Sequence, residues 1–99
     1  MVAYVVIQVD ITDPVKFEEY KAVVPPIIAR YGGRYLTRGG AYEVLCGTWP
    51  TERTTILEFP TTADAQAWYD SPEYEGPKAI RDQGANVNMV VVEGVDDVP

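Results

Sequence analysis

Residues 58–74 constrain the fold of this chain more than any other segment. They read as the end of a strand, a tight turn, a short helix that closes on an aromatic pair, and the start of a second helix. Thr61 or Thr62 can cap the first helix, and Ser71-Pro72 is typical of the N-terminus of the second. Almost no chain is left for connections, so this segment predicts architecture well and chemistry poorly.

The first part of the chain predicts a strand followed by a helix. Residues 3–11 alternate, and their odd-numbered positions place four aliphatic side chains on one face. Asp13, followed by proline, is a typical helix N-cap, and apolar residues then recur at three- and four-residue spacing. The proline pair at residues 25–26 removes two backbone donors, so we expect a kink or break near Val24. The glycines at residues 32–33 are expected to end the helix.

The middle of the chain is the least determined part. Residues 34–38 predict a strand, and we interpret the glycines at 39–40 as a bend or bulge from which the strand continues through residues 42–46. A separate small hairpin at the two glycines is the alternative. Residues 47–52 are expected to turn the chain.

The remaining elements are better marked. Residues 53–59 predict a strand with Ile56 and Glu58 on one face and Leu57 and Phe59 on the other. After the segment described above, the second helix is expected over residues 72–83, weakened by a Gly-Pro pair. A last strand is predicted over residues 87–95, followed by an acidic tail at residues 96–99.

The predicted order is strand, helix, strand, strand, helix, strand. This order is typical of the ferredoxin-like α+β fold, an antiparallel sheet with helices on one face. The length of 99 residues fits one domain, which we place at residues 1–95.

The sheet is expected to have a second apolar face that its two helices cannot cover. Tyr4, Val6 and Ile56 point to one face of their strands, and the last strand carries apolar residues on both faces. An exposed apolar face of this size marks an interface. We therefore predict a homodimer that packs sheet against sheet about a two-fold axis. A monomer with a loop folded over the sheet is the alternative.

Composition excludes several classes of function. The net charge of −7, with scattered basic residues, argues against nucleic-acid binding. The chain has no histidine and one cysteine, so a Ser-His-Asp triad, a His-bearing zinc site and an intrachain disulfide are all excluded. No metal or cofactor site is predicted. The apolar run at residues 2–9 is too short for a signal peptide or membrane span, so we expect a cytoplasmic protein without a membrane partner.

Four segments, taken in order, resemble one known family, domain of unknown function 1330, from Tyr4 to Gly94. They are YGGRYLTRGG at residues 31–40, EVLCGTW at 43–49, EFP at 58–60 and AWYDSPEY at 67–74. The resemblance implies a dimeric α/β barrel and no particular activity. The wider group of such barrels includes cofactor-free monooxygenases, haem-degrading enzymes and lactone isomerases, which is an analogy of fold only.

Arg38 and Glu58 are the strongest candidates for a site. Arg38 precedes two glycines, where the bare backbone leaves room for a ligand, and Glu58 points away from Leu57 and Phe59. Paired with Arg38, Glu58 could accept a proton or help to hold a ligand. A structural ion pair is the alternative interpretation.

Four further residues are candidate ligand contacts. Trp49 and Tyr69 offer flat apolar walls with polar tips, whereas Trp68 is expected in the core. Gln8 is a polar residue in a strand of valines, and Arg34 flanks the same region as Arg38.

Three functions fit these residues. The first is a dimeric protein that binds a small apolar or aromatic acid in a pocket between sheet and helices, with its anionic group on Arg38. The second is a cofactor-free enzyme in which Glu58 moves a proton and Arg38 stabilises an oxyanion. The third is a purely structural dimer with a filled barrel.

Overall fold

The computed structural model describes residues 1–95, and the predicted acidic tail at 96–99 lies outside them. Four strands and four helical segments follow in the predicted order. They are β1 (Ala3–Ile11), α1 (Pro14–Val23), α2 (Pro25–Arg30), β2 (Arg34–Arg38), β3 (Arg53–Phe59), α3 (Thr62–Tyr69), α4 (Pro72–Gly84) and β4 (Ala85–Glu93).

The strands form one antiparallel sheet in the order β2-β3-β1-β4. The register places Val5 of β1 between Leu57 of β3 and Val91 of β4, so aliphatic side chains on three strands share one face. The helices cover this face, which confirms the predicted ferredoxin-like α+β fold. No helix within residues 1–95 has the length and apolar character that crossing a membrane requires.

Aromatic side chains join the helices to the sheet. Trp68 of α3 is 1% exposed, and its ring centroid lies 5.5 Å from that of Phe59 and 4.6 Å from that of Tyr74. All three rings are almost completely removed from water. Burial of such large apolar groups is the main source of stability in a chain of this size.

The helices begin and end where the sequence predicts. Thr61 rather than Thr62 caps α3, and Ser71 caps α4. The predicted break near Val24 is confirmed, since α1 ends at Val23 and α2 begins at Pro25. The cause is the missing backbone donors of the two prolines.

The cap at Asp13 provides a test of local stability. Its Oδ1 accepts hydrogen bonds from the backbone nitrogens of Val15 at 3.1 Å and Lys16 at 3.3 Å. Asp13→Ala is therefore expected to lower the free energy of unfolding by about 1 kcal/mol, measured by urea denaturation. Asp70→Ala, which removes an exposed carboxylate at the end of α3, should change it by less than about 0.5 kcal/mol. Equal losses in the two variants would contradict the role of the cap.

The predicted strand at residues 42–46 is wrong, and so is the alternative hairpin. Residues 39–52 contain no strand, and most of their side chains are exposed. Gly39 has a φ of +66°, which turns the chain away from the sheet directly after Arg38. The irregularity in β2 lies earlier, between Tyr35 and Thr37.

The last strand begins and ends two residues earlier than predicted, at Ala85 and Glu93. Its start is determined by pairing, because Ala85 lies opposite Ile11 in β1. The backbone nitrogens of Thr12 and Asp13 also bond to the carbonyl of Gly84, at 2.9 and 3.0 Å. These contacts depend on a distant strand, so they cannot be read from the local sequence.

The outer face of the sheet has no helical cover. The described chain forms a slab whose smallest extent is 16 Å, with helices on one side only. Val6 lies between Ile56 and Val90 in the middle of this face, and Val90 and Val92 are 57% and 49% exposed. We call this surface, centred on Tyr4, Val6, Ile56, Val90 and Val92, the outer face.

Candidate functional site

A small cavity lies between the sheet and the helices. Its volume is about 30 Å³, and aliphatic side chains of β1, β3 and β4 form its floor together with Val24 and Ile28 from the helical layer. Its charged lining residues are all basic: Lys21, Arg38, Arg53 and Arg81. The chain has only eight basic residues against fifteen acidic ones, so half of its cations line this one cavity.

Two arginines occupy one end of the cavity, where β2 ends and β3 begins. Arg38 Nη2 donates a hydrogen bond to the carbonyl of Lys21 at 2.8 Å, and its Cζ lies 4.6 Å from the centroid of the Tyr35 ring. Arg53 Nη2 lies 3.5 Å from the carbonyl of Arg38. Gly39 has a φ of +66°, which favours glycine, and its bare backbone leaves room for the Arg53 guanidinium, which a Cβ there would overlap.

Three tyrosines add hydroxyl groups from different elements. The hydroxyls of Tyr20 in α1 and Tyr74 in α4 are 2.6 Å apart, and Tyr35 comes from β2. Burial raises the pKa of Tyr20, of Tyr35 and of Tyr74. All three hydroxyls therefore keep their protons at neutral pH, and one proton of the Tyr20–Tyr74 pair is used in the bond between them.

Arg81 is a buried cation beside this tyrosine pair. Its side chain binds Oδ1 of the exposed Asp82 through Nε at 3.0 Å and Nη2 at 2.9 Å. Its Nη1 lies 3.4 Å from the hydroxyl of Tyr74. Burial lowers the pKa of Arg81, but its contacts with Tyr74, Tyr69 and Asp82 outweigh burial and raise it overall, so the guanidinium stays charged.

A second, larger space lies beside the cavity, which we call the groove. It has a volume of about 470 Å³ and runs along the edge strand β4, below α3 and α4. Gln66 and Tyr69 are polar side chains of its wall, and Asn88 of the edge strand also borders it. Trp68 also lines it, and the Trp68 Nε1 atom is buried without a hydrogen-bond partner.

The expected contact between Arg38 and Glu58 is wrong within the described chain. Glu58 lies on the outer face, where its Oε1 accepts a hydrogen bond from Arg34 Nε at 3.0 Å. Arg38 lies four positions after Arg34, which would place both on one face of a regular strand. The irregularity between Tyr35 and Thr37 reverses the alternation and sends Arg38 to the cavity.

The other candidate residues are divided between the two faces. Gln8 lies on the outer face between Thr54 and Asn88. Trp49 is directed to the same side, because its Nε1 donates to Thr54 Oγ1 at 2.9 Å. Tyr69 lines the groove, with Lys78 Nζ 4.1 Å from its ring centroid. Only Arg38 and Tyr69 thus lie in the spaces on the helical side of the sheet.

Sequence reasoning missed most of the residues around the cavity. Tyr20 belongs to the apolar stripe of α1, Arg53 and Arg81 carry no motif, and Tyr35 and Tyr74 lie in family segments without being candidate site residues. The one available signal was spacing, because Tyr74 and Arg81 are seven residues apart and therefore share a face of α4. In residues 1–95, no group of three or more acidic or cysteine side chains is arranged to hold a metal ion.

Solved structures share this fold over nearly the whole chain. A protein of unknown function from Rhodopseudomonas palustris is similar with a TM-score of 0.77 and 16% identity, covering 96% of this chain and 83% of that one. A dimeric ferredoxin-like protein of unknown function from Jannaschia sp. CCS1 has a TM-score of 0.69 and 11% identity. The match covers 95% of this chain and 100% of that one. SnoaB, a cofactor-independent oxygenase from Streptomyces nogalater, is similar with a TM-score of 0.66 and 11% identity. The match covers 99% of this chain and 97% of that one.

At these identities the likeness shows the fold alone. Among curated proteins, no sequence matches the chain. One family does match, the Domain of unknown function (DUF1330), over residues 2–95. This match confirms the resemblance carried by the four sequence segments, and the chain belongs to the DUF1330 family.

Proposed function

We propose that this protein binds a small organic acid with an apolar or aromatic body, with the acid group in the cavity between sheet and helices. One observation carries the proposal: every charged residue that lines the cavity is a cation, in a chain with a net charge of −7. Such a concentration of cations opposes the overall charge, and a bound anion accounts for it.

The polar groups around the cavity match an anion in chemistry as well as in charge. A guanidinium has five hydrogen-bond donors and no acceptor, and a protonated tyrosine can also donate. Arg38, Arg53 and Tyr35 meet at one end of the cavity, where a carboxylate could accept several charge-assisted hydrogen bonds. The aliphatic floor then suits the first carbons of the acid.

The enzyme alternative has less support. A proton acceptor is needed near the ligand, yet Glu58 lies on the opposite face of the sheet from Arg38. The tyrosines cannot replace it, because burial raises the pKa of each above the range of a base at neutral pH. An oxygenase shares the fold, but turnover here would depend on a substrate that ionises without a protein base.

We also propose that two copies of the chain pair through the outer face. Its apolar centre is exposed in one chain, and a two-fold axis would place each copy of Val6 and Val90 against the same surface of the partner. The relatives described as dimeric share the fold.

The free thiol of Cys46 accords with a reducing, cytoplasmic location.

Titration calorimetry with benzoate and indole-3-acetate tests the binding proposal. Hydrogen bonds to a charged group contribute about 1.5–3 kcal/mol each, so Arg53→Gln should weaken binding by about tenfold or more. Arg38→Gln should act in the same direction. Benzamide, which has the same shape as benzoate and no charge, should bind much more weakly.

Arg34→Gln is the matched control, because it removes the same kind of side chain from the outer face. It should leave the affinity for either acid within about twofold. The proposal fails if neither acid binds the wild-type protein, which would leave the structural dimer, or if Arg34→Gln weakens binding as much as Arg53→Gln.

A further inference from the structure

The cavity and the groove are separated by a single layer of side chains. Four residues line both spaces: Trp68, Arg81, Val87 and Met89. The cavity, at about 30 Å³, has room for an acid group, whereas the groove, at about 470 Å³, falls in the range that holds whole ligands. These four side chains form the wall between the two spaces.

Only one of the four wall residues is free to move. Trp68 is packed between the rings of Phe59 and Tyr74, and two nitrogens of Arg81 are bound to Asp82. Val87 is β-branched and has a restricted side chain.

Met89 differs from these three residues in its flexibility, although like Val87 it is partly buried on β4. Its side chain is unbranched, with three rotatable bonds, and it is only partly buried against the core. It also belongs to the edge strand β4, so no further strand lies beside it in the sheet. A rotation of Met89 would therefore cost less than a movement of its three neighbours.

The wall also contains an unsatisfied polar atom. Trp68 Nε1 is buried and has no hydrogen-bond partner. A buried donor left unpaired costs about 1–3 kcal/mol. A ligand that passes through the wall and carries an oxygen at that depth would supply the missing acceptor, so the closed wall is not the lowest-energy arrangement once such a ligand is present.

We propose that Met89 is a gate between the cavity and the groove, and that the ligand is an elongated acid of two rings or comparable length. Its acid group lies in the cationic cavity, and its body passes Met89 into the groove beside Tyr69 and Gln66. This inference rests on the proposed function and deepens it, because it makes Met89 the residue that determines how long an acid the protein accepts.

The test compares a short acid, benzoate, with a long one, biphenyl-4-carboxylate, by titration calorimetry on the full chain. Met89→Ala opens the wall and should tighten binding of the long acid by about tenfold. Met89→Ile puts a stiff side chain in its place and should weaken the long acid by about fivefold. Binding of benzoate should change by less than about twofold in both variants, because one ring extends past Met89 much less than two rings do.

The control is Ile80→Ala, which shortens a partly buried core side chain that lines neither space. It should not distinguish the two acids. A second measurement needs no substitution: the chain has two methionines, so a methyl-labelled sample gives two signals. The Met89 methyl signal should shift with the long acid and stay nearly unchanged with benzoate.

The outcomes separate the two proposals. If benzoate binds and Arg53→Gln weakens it, but Met89 variants leave the long acid unaffected, the gate is wrong and the cationic site stands. If neither acid binds, the proposed function is wrong, and the proposal that Met89 is a gate is wrong as well. A groove filled by a second copy of the chain would show as a long-acid affinity that falls with protein concentration, which also overturns the gate.

Discussion

Trp68→Ala is expected to lower the free energy of unfolding by about 3–5 kcal/mol. Trp68 is 1% exposed, and its ring is in contact with Phe59 from β3 and with Tyr69 and Tyr74 from the helices. Its removal leaves a large void at the one place where the helical layer and the sheet share an aromatic cluster. The total free energy of unfolding of a domain of this size is only about 5–15 kcal/mol. The variant should therefore be close to unfolding at room temperature.

Urea denaturation followed by far-UV circular dichroism measures this loss, and the chain has a matched control. Trp49, the only other tryptophan, is 44% exposed and has one side-chain hydrogen bond, to Thr54. Trp49→Ala should cost about 1 kcal/mol. Similar losses in the two variants would contradict the position assigned to Trp68 at the centre of the core.

Val90→Lys is expected to convert the proposed dimer into single chains. Val90 is 57% exposed in one chain and lies beside Val6 at the centre of the outer face. A two-fold dimer would contain two of the new ammonium groups in its interface, one from each copy. Burying each without a partner costs several kcal/mol. The dissociation constant should rise by at least about 100-fold, measured by sedimentation velocity over a range of protein concentrations.

Val15→Lys is the control for this prediction. Val15 is an exposed valine, at 76%, but it lies on α1 and therefore on the helical side of the protein. Its replacement adds the same charge without touching the outer face, so the assembly should be unchanged. A wild-type protein that sediments as one chain at all concentrations would remove the proposed interface altogether.

The elements of the fold were predictable because their signals are local. A cap such as Asp13 or Ser71 bonds to a backbone nitrogen two or three residues away, and a proline acts on its own helix. Alternation in β1 and β3 also acts locally, and it correctly separated Leu57 and Phe59 from Ile56 and Glu58. These interactions do not depend on what the rest of the chain does.

The site was less predictable because its residues meet only after folding. Tyr20, Arg53 and Arg81 belong to three different elements, and no short motif contains two of them. The pairing of Arg38 with Glu58 was wrong for a reason that only strand pairing reveals. The register places Arg34 opposite Glu58, and one irregularity later in β2 turns Arg38 to the other face of the sheet, opposite Thr55.

From its sequence alone this protein is an antiparallel α+β domain of the DUF1330 family with an apolar second sheet face, because periodicity, caps and family segments are properties of neighbouring residues. The tertiary structure alone decided which cations line a common cavity and that Met89 lines both this cavity and the groove. The physical reason is that register and irregularities in strand pairing determine the direction of each side chain, and the pairing energies that select them come from residues far apart in the chain.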